Sequence, residues 1–138
     1  MLIIFIASFL SGYKATSQLT ISGPNAYKKA KKTADIIWKR LQALGYFYSE
    51  TNTEYLGLTN CDDEYIISNI SEVILRLSVK DKDRKKVSRF GKEIAPVITN
   101  GPAGITGFAG GRPKPQEIIS YWPTLIPKDI IKCEVEIL

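Results

Sequence analysis

The segment NGPAGITGFAGGRPK, residues 100–114, separates a predicted helix from a predicted strand, and the rest of the chain is arranged around it. Its glycines are Gly101, Gly104, Gly107, Gly110 and Gly111. Each glycine would cost a helix about 1 kcal/mol relative to alanine, which excludes a helix here. The segment also has too few side chains to form a good strand. We therefore predict a loop whose backbone turns sharply or approaches another molecule closely.

Two interpretations of this loop remain open: a tight structural connection, or a loop that contacts a ligand. Backbone N–H groups can surround an anion, and Arg112 and Lys114 add positive charge beside them. The spacing matches neither a Rossmann fingerprint nor a P-loop. If the loop binds a ligand, the predicted contact residues are Gly104, Gly107, Gly110, Gly111 and Arg112.

Composition bounds the class of protein. The 138 residues are 44% hydrophobic and 24% charged, as in a single globular domain. The net charge of +5 favours anionic partners. There is no histidine, which removes histidine-based triads and metal sites and the commonest general base. Cys61 and Cys133 stand in no metal or redox spacing, so we expect buried or free thiols in a reducing cytosol and no metal site, and the cofactor is left unassigned.

Two charged clusters are candidate sites. The acidic cluster Asp62, Asp63 and Glu64 lies in the polar stretch Asn60–Ser68, without the spacing of a calcium loop, and predicts a solvated loop. The basic cluster lies in the first half of the first predicted helix, where positive charge opposes the helix dipole. Its cations are therefore expected either to be solvated or to bind an anion held near Gly23. Its members are Lys28, Lys29, Lys31 and Lys32.

Hydrophobic periodicity predicts an α+β fold. After Ser17 the order of elements is β-α-β-β-α-β, the ferredoxin-like arrangement, with two helices on one face of a mostly antiparallel sheet and an extra strand before it. The second helix is expected to begin at a cap supplied by Asp81 or Asp83. Pro123 and Pro127 predict a turn before the last strand. The predicted strands are Leu2–Phe9, Gln18–Ser22, Tyr55–Thr59, Glu72–Val79, Gln116–Trp122 and Ile131–Leu138, and the helices cover the apolar positions Ala26–Leu44 and Val87–Ile98.

The apolar segment Met1–Leu10 is too short for a membrane span, which needs about 20 residues, and lacks the charged start of a signal peptide. We interpret it as a buried strand, and expect no membrane association. A chain that begins within a hydrophobic strand is typical of a piece of something longer. We therefore expect residues 1–138 to be one domain that is a partial or split portion of a larger protein, prone to form oligomers through exposed edges and apolar surface.

Several motifs resemble those of the acyclic terpene utilisation (AtuA-like) family. The similar residues lie within 11–130 and include Ser11–Ala15, Gln18–Pro24, Tyr55–Leu58, Gly101–Phe108, Gly111–Pro113 and Tyr121–Pro123. The match corresponds to the C-terminal part of the family's core domain, without the larger N-terminal α/β portion. The resemblance implies a cytoplasmic role in the breakdown of acyclic terpenoid or branched acyl compounds, with CoA thioesters as one form. It transfers no catalytic residue, and whether the chain is an enzyme stays undecided.

Three functions are therefore considered. In the first, the chain is a component of a catabolic enzyme, has an upstream α/β subunit or domain as partner, and is catalytically incomplete alone. Alternatively, it is a non-catalytic module that binds a small anionic molecule such as an acyl-CoA. Nucleic-acid binding is not expected, because no RNP or KH signature is present. The one aromatic and basic cluster that suits it comprises Tyr46, Phe47 and Tyr48 beside Lys39 and Arg40.

Overall fold

A computed structural model describes residues 2–58, 70–107, 111–132 and 134–136. The predicted acidic loop, Gly110 and both cysteines lie outside these residues, as does Thr59 at the end of one predicted strand.

The chain forms two helices packed on a mostly antiparallel sheet of five strands, which confirms the α+β prediction. The helices are α1 (Ala26–Ala43) and α2 (Arg84–Asn100), and a short 3-10 helix covers Lys128–Ile130. No helix among the described residues is long and apolar enough to cross a membrane. The strands are β1 (Leu2–Ser22), β2 (Glu50–Leu56), β3 (Glu72–Asp81), β4 (Ile105–Gly107) and β5 (Gln116–Pro127).

Strand β1 is the centre of the sheet. The order is β2-β3-β1-β4, and β5 pairs with the first part of β1. On one side β1 pairs with β3 from Tyr13 to Ser22. On the other side it pairs with β5 from Leu2 to Lys14 and with β4 from Leu19 to Ile21. Every one of these pairings is antiparallel.

The core lies between the sheet and the two helices. Alternation along β1 sends the odd-numbered Ala15, Leu19 and Ile21 into it, because successive strand residues face opposite sides. The apolar stripe of each helix covers this face, with Phe90 of α2 fully buried. The remaining core side chains are Ala26, Ala30, Ala34, Ile37, Leu41, Val73, Leu75, Leu77, Val79, Val87, Ile94, Val97 and Ile105.

The start of α2 follows the sequence prediction. The carboxylate of Asp83 accepts a hydrogen bond of 2.7 Å from the backbone N–H of Lys85, as an N-cap does. Asp81, the alternative cap, instead accepts from the N–H groups of Asp83 and Ser49 at 2.9 and 3.2 Å. Asp81 therefore fixes the turn that precedes the helix.

The prediction of a buried strand Leu2–Phe9 was wrong in two respects. It is not a separate strand, because β1 runs without a break from Leu2 to Ser22 and only a bulge between Leu10 and Gly12 interrupts its pairing with β5. It is also not buried, since every side chain from Leu2 to Leu10 is exposed. In the part of the chain that the structure describes, β5 is the one strand that pairs with this segment, and neither helix covers its exposed side chains. We call the two-stranded ribbon formed by Leu2–Leu10 and Ile119–Pro127 the arm.

Four further predictions differ from the structure. The turn expected at Pro123–Pro127 is the end of β5, where the prolines sit in a strand with one partner. The glycine-rich segment contains β4, because three residues suffice to pair with β1. The described part of the last predicted strand, residues 131–132 and 134–136, forms no strand. Strand β2 begins at Glu50, five residues before its predicted start.

Candidate functional site

The glycine-rich segment leaves α2 at Gly101 and turns back along the helix. A side-chain carbon at Gly101 would lie 2.4 Å from the carbonyl oxygen of Val97, and one at Gly104 would lie 2.5 Å from that of Ser22. Gly104 also has a φ of +90°, a conformation that favours glycine. At both positions glycine is required by the close approach of the protein's own backbone. This supports the structural interpretation for the first turn of the loop.

Lys29 holds this first turn against the end of β1. Its ammonium donates hydrogen bonds to the carbonyl oxygens of Ser22 and Ala103, the latter at 2.9 Å. Ser22 in turn donates its N–H to the carbonyl of Gly104 at 2.9 Å. Backbone carbonyl oxygens therefore accept the hydrogen bonds of the Lys29 ammonium group. An anion near Gly23, one of the two explanations for the basic cluster, is not needed to account for Lys29.

The second half of the loop crosses the buried side of α2. A side-chain carbon at Gly91 would stand 2.1 Å from the carbonyl oxygen of Pro113, so the loop backbone lies directly on the helix there. Sequence analysis did not single out Gly91. The available signal was a glycine in the middle of an otherwise regular amphipathic helix, where it costs about 1 kcal/mol and so usually has a packing reason.

Between this crossing and the sheet lies an apolar cavity of about 210 Å³. Its walls come from β1 and β4, from one side of α2, and from the loop itself. The lining residues are Leu19, Ile94, Ala95, Ile98, Gly107, Gly111, Arg112 and Pro113. Arg112 is the one charged residue among them, and it is exposed at the solvent side.

Three of the five predicted contact residues therefore line one cavity: Gly107, Gly111 and Arg112. Gly111 has a φ of +71° and open space around its Cα, so its backbone is accessible. Gly104 does not line the cavity, and Gly110 lies outside the described residues. Ile94 and Ile98 were predicted on the apolar face of the helix, but periodicity does not distinguish a side chain in the core from one that lines a cavity.

The described residues that line this cavity include no group capable of acid–base catalysis. The nearest buried carboxylate on α2 is Glu93, which faces the other helix. It accepts two hydrogen bonds from Arg40, at 3.0 and 3.1 Å, and one from Arg89 at 2.6 Å. Within the described ranges, no three metal-ligating side chains come close enough together to hold an ion.

The aromatic and basic cluster is largely engaged within the protein. Tyr48 donates its hydroxyl to the carbonyl of Lys86 at 3.1 Å, and burial raises the pKa of Tyr48 to about 12. The guanidinium carbon of Arg89 lies over the ring of Tyr46, 5.8 Å from the ring centre. Arg40 is bound to Glu93. Of the three aromatic residues, Phe47 alone is widely exposed, which leaves a poor platform for stacking bases.

Comparison with known protein families identifies the chain. The family model described as "Acyclic terpene utilisation family protein AtuA" matches residues 5–137. The chain belongs to the AtuA family. The match covers the cavity, the described part of the loop and nearly all of this AtuA-family chain, including the arm from Phe5 onward. A search of curated proteins and a search of solved structures each returned no match.

Proposed function

We propose that this AtuA-family chain takes part in the catabolism of acyclic terpenoid or branched acyl compounds by binding their apolar chain beside Arg112. The observation that carries the proposal is the apolar cavity with one cation at its solvent side. An acyclic terpenoid acid or a branched acyl-CoA has the matching chemistry, an uncharged branched chain ending in an anionic group.

Each part of the cavity has a defined role in this proposal. Ile94, Ile98 and Leu19 remove the branched chain from water, which favours binding by roughly 25 cal/mol for each Å² of apolar surface buried. The planar guanidinium of Arg112 binds a carboxylate or phosphate at two points. Pro113 fixes the backbone next to Arg112, and the contact with Gly91 holds that backbone against α2. At about 210 Å³ the cavity is smaller than the roughly 300–1,000 Å³ of typical ligand sites, so it takes one end of the molecule.

The chain is catalytically incomplete in this proposal. A carboxylate, thiol or amine that could act as acid, base or nucleophile is missing from the lining residues. We infer that an α/β subunit or domain supplies those groups, and that the assembly works in the cytoplasm. The strand order β2-β3-β1-β4, with antiparallel neighbours throughout, supports a ferredoxin-like arrangement for this partial domain. The alternative is a non-catalytic module that binds an acyl-CoA or a similar small molecule.

Calorimetry of the full chain tests the binding site. The ligands are a branched acyl-CoA, its free acid, a straight-chain acid with the same number of carbons, and CoA alone. We expect the branched acid and its thioester to bind more tightly than CoA. Arg112→Lys keeps the charge but loses the two-point geometry, so it weakens binding by roughly 1–3 kcal/mol. Ala95→Leu fills the cavity and weakens binding of the branched chain without touching the cation.

Lys114→Gln is the matched control, because Lys114 is an exposed cation two residues away that does not line the cavity. It should bind as the parent does. Equal binding by the parent, Arg112→Lys and Ala95→Leu would make the loop purely structural and would refute the proposed site. If the site binds, adding the α/β portion decides between the two functions. Turnover by the combined assembly supports a catabolic component, and binding without turnover supports the non-catalytic module.

A further inference from the structure

We propose that the arm is a self-association surface, through which two copies of this chain pair along the free edge of β1. This inference concerns a different part of the molecule from the cavity beside Arg112 and does not depend on the proposed ligand.

The arm is apolar on both faces. Residues paired across two strands share a face, so the register places Ile4 and Leu125 together on one face and Ala7 and Trp122 on the other. Ile4 and Leu125 are 67% and 60% exposed, and Trp122 is 67% exposed. No charged residue occurs in Leu2–Leu10 or in Ile119–Pro127. Contiguous exposed apolar surface of this kind marks an interaction site.

The two edges of the arm differ, and the difference selects the edge that pairs. Strand β3 ends its pairing at Tyr13 of β1, so no strand among the described residues pairs with the same side of β1 from Leu2 to Leu10. That edge contains no proline. The outer edge of β5 carries Pro123 and Pro127, which lack an N–H and are typical of edges that are protected from pairing.

The prolines also show which N–H groups of β1 face outward. Pro123 lies opposite Ile6, and Pro127 lies opposite Leu2. Hydrogen-bonded and non-hydrogen-bonded positions alternate along an antiparallel pair, and a proline is compatible with the non-hydrogen-bonded ones. Between Leu2 and Leu10, the even-numbered residues of β1, including Ile4 and Ile6, therefore direct their N–H and C=O groups to the free edge. These groups can pair with another strand while the pairing with β5 stays intact.

A second copy is the occupant that this edge fits. The nine residues Leu2–Leu10 span about 30 Å and carry no charge, so a charged partner strand would find no complementary group. The same strand of another copy is equally apolar, equally free of proline, and able to pair antiparallel about a two-fold axis, as in isologous dimers. The product is a four-stranded sheet in the order β5-β1-β1-β5. Its faces stay apolar, so two such dimers can stack, and the assembly contains an even number of chains.

Light scattering coupled to size-exclusion chromatography tests the proposal on the full chain at micromolar concentration. We expect a closed assembly with two or four times the mass of the chain. Ile6→Pro removes an N–H from the free edge without removing one that faces β5. It should raise the dissociation constant at least about tenfold, because every pairing across a two-fold axis is lost twice. Circular dichroism and urea unfolding of the same samples show whether the core, which begins beyond Gly12, still folds.

A matched pair of charged variants separates edge pairing from general stickiness. Ile4→Lys and Leu125→Lys place the same charge on the same face, but the first is on the pairing edge and the second on the protected strand. We expect Ile4→Lys to dissociate the assembly more than Leu125→Lys does. A monomeric parent overturns the proposal. So does a polydisperse mixture of oligomers that Ile4→Lys and Leu125→Lys dissociate equally. An assembly that persists in the double variant Ile6→Pro, Ile4→Lys also overturns it. A parent that stays monomeric and instead binds lipid vesicles or the α/β portion through the arm also overturns it.

Discussion

Replacing Gly91 by alanine should destabilise the protein, although the same change stabilises most helices. In an ordinary helix interior, glycine to alanine is favourable by about 1 kcal/mol. At Gly91 the added carbon would lie 2.1 Å from the carbonyl oxygen of Pro113 and 3.1 Å from its carbonyl carbon. Carbon and carbonyl oxygen rarely approach closer than about 3.3 Å, so the loop must move away by roughly 1 Å.

The expected magnitude follows from two opposing terms. Extra carbon in a close-packed contact costs about 1–3 kcal/mol, and here the contacting atom belongs to the backbone and cannot rotate away. Subtracting the gain in helix propensity leaves a net loss of up to about 2 kcal/mol in the free energy of unfolding. Since Arg112 precedes Pro113, the displaced loop should also weaken binding of a branched acid.

Urea unfolding at 25 °C measures the change, with Lys92→Ala as control. Lys92 is the next residue of α2 and is exposed, so its replacement should alter the free energy of unfolding by less than about 0.5 kcal/mol. A Gly91→Ala protein that is more stable than the parent would refute the close approach of loop and helix. A loss of stability in Lys92→Ala as large as that in Gly91→Ala would show that the effect does not arise from Pro113.

Two further predictions concern buried carboxylates. Glu93→Ala should lower the free energy of unfolding by about 2–3 kcal/mol, because Glu93 is 4% exposed and joins Arg40 of α1 to Arg89 of α2. Both arginines, which are 53% and 35% exposed, stay hydrated and limit the loss. A change below about 0.5 kcal/mol in urea unfolding would contradict this prediction. The N–H of Asp83, aided by Lys86 and Ser49 and opposed by burial, holds the pKa of Asp81 below its ordinary value. The stability that the ionised Asp81 contributes is therefore present above about pH 4 and is lost as pH falls through its lowered pKa. In urea unfolding, Asp81→Asn should have a lower free energy of unfolding than the parent at pH 7, and the difference should shrink in acid. A difference that does not depend on pH would contradict this prediction.

The elements that sequence alone predicted are those whose causes are local. Neighbouring residues determine the apolar stripe of α1, the cap at Asp83 and the alternation of β3. The structure confirms all three. The arrangement of β1 depends instead on distant partners. Sequence analysis predicted two strands, Leu2–Phe9 and Gln18–Ser22, but β5 pairs with β1 as far as Lys14 and β3 pairs with it from Tyr13 onward, so the two pairings overlap and keep the strand continuous.

The candidate site was predictable to a similar degree. Gly107, Gly111 and Arg112 were named from the glycine pattern and the adjacent charge, and they do line a cavity. Whether they bind a ligand remains a prediction. The role of Lys29 was hidden, because the carbonyl of Ala103 lies 74 residues away in sequence. The contact of Gly91 with Pro113 was hidden for the same reason.

The position of the two strands of the arm in the sequence has a consequence for synthesis of the chain. Leu2 is made before its partner Pro127, which follows more than a hundred residues later. At roughly 5–20 residues per second, Leu2–Leu10 waits between about 6 and 25 s for the strand that it pairs with. During that interval an uncharged, proline-free segment rich in β-branched and aromatic residues is present without a partner, which is the pattern of an aggregation-prone segment. Production of this protein should therefore depend on chaperones that bind nascent apolar chains, and slower translation should lower the yield of folded protein.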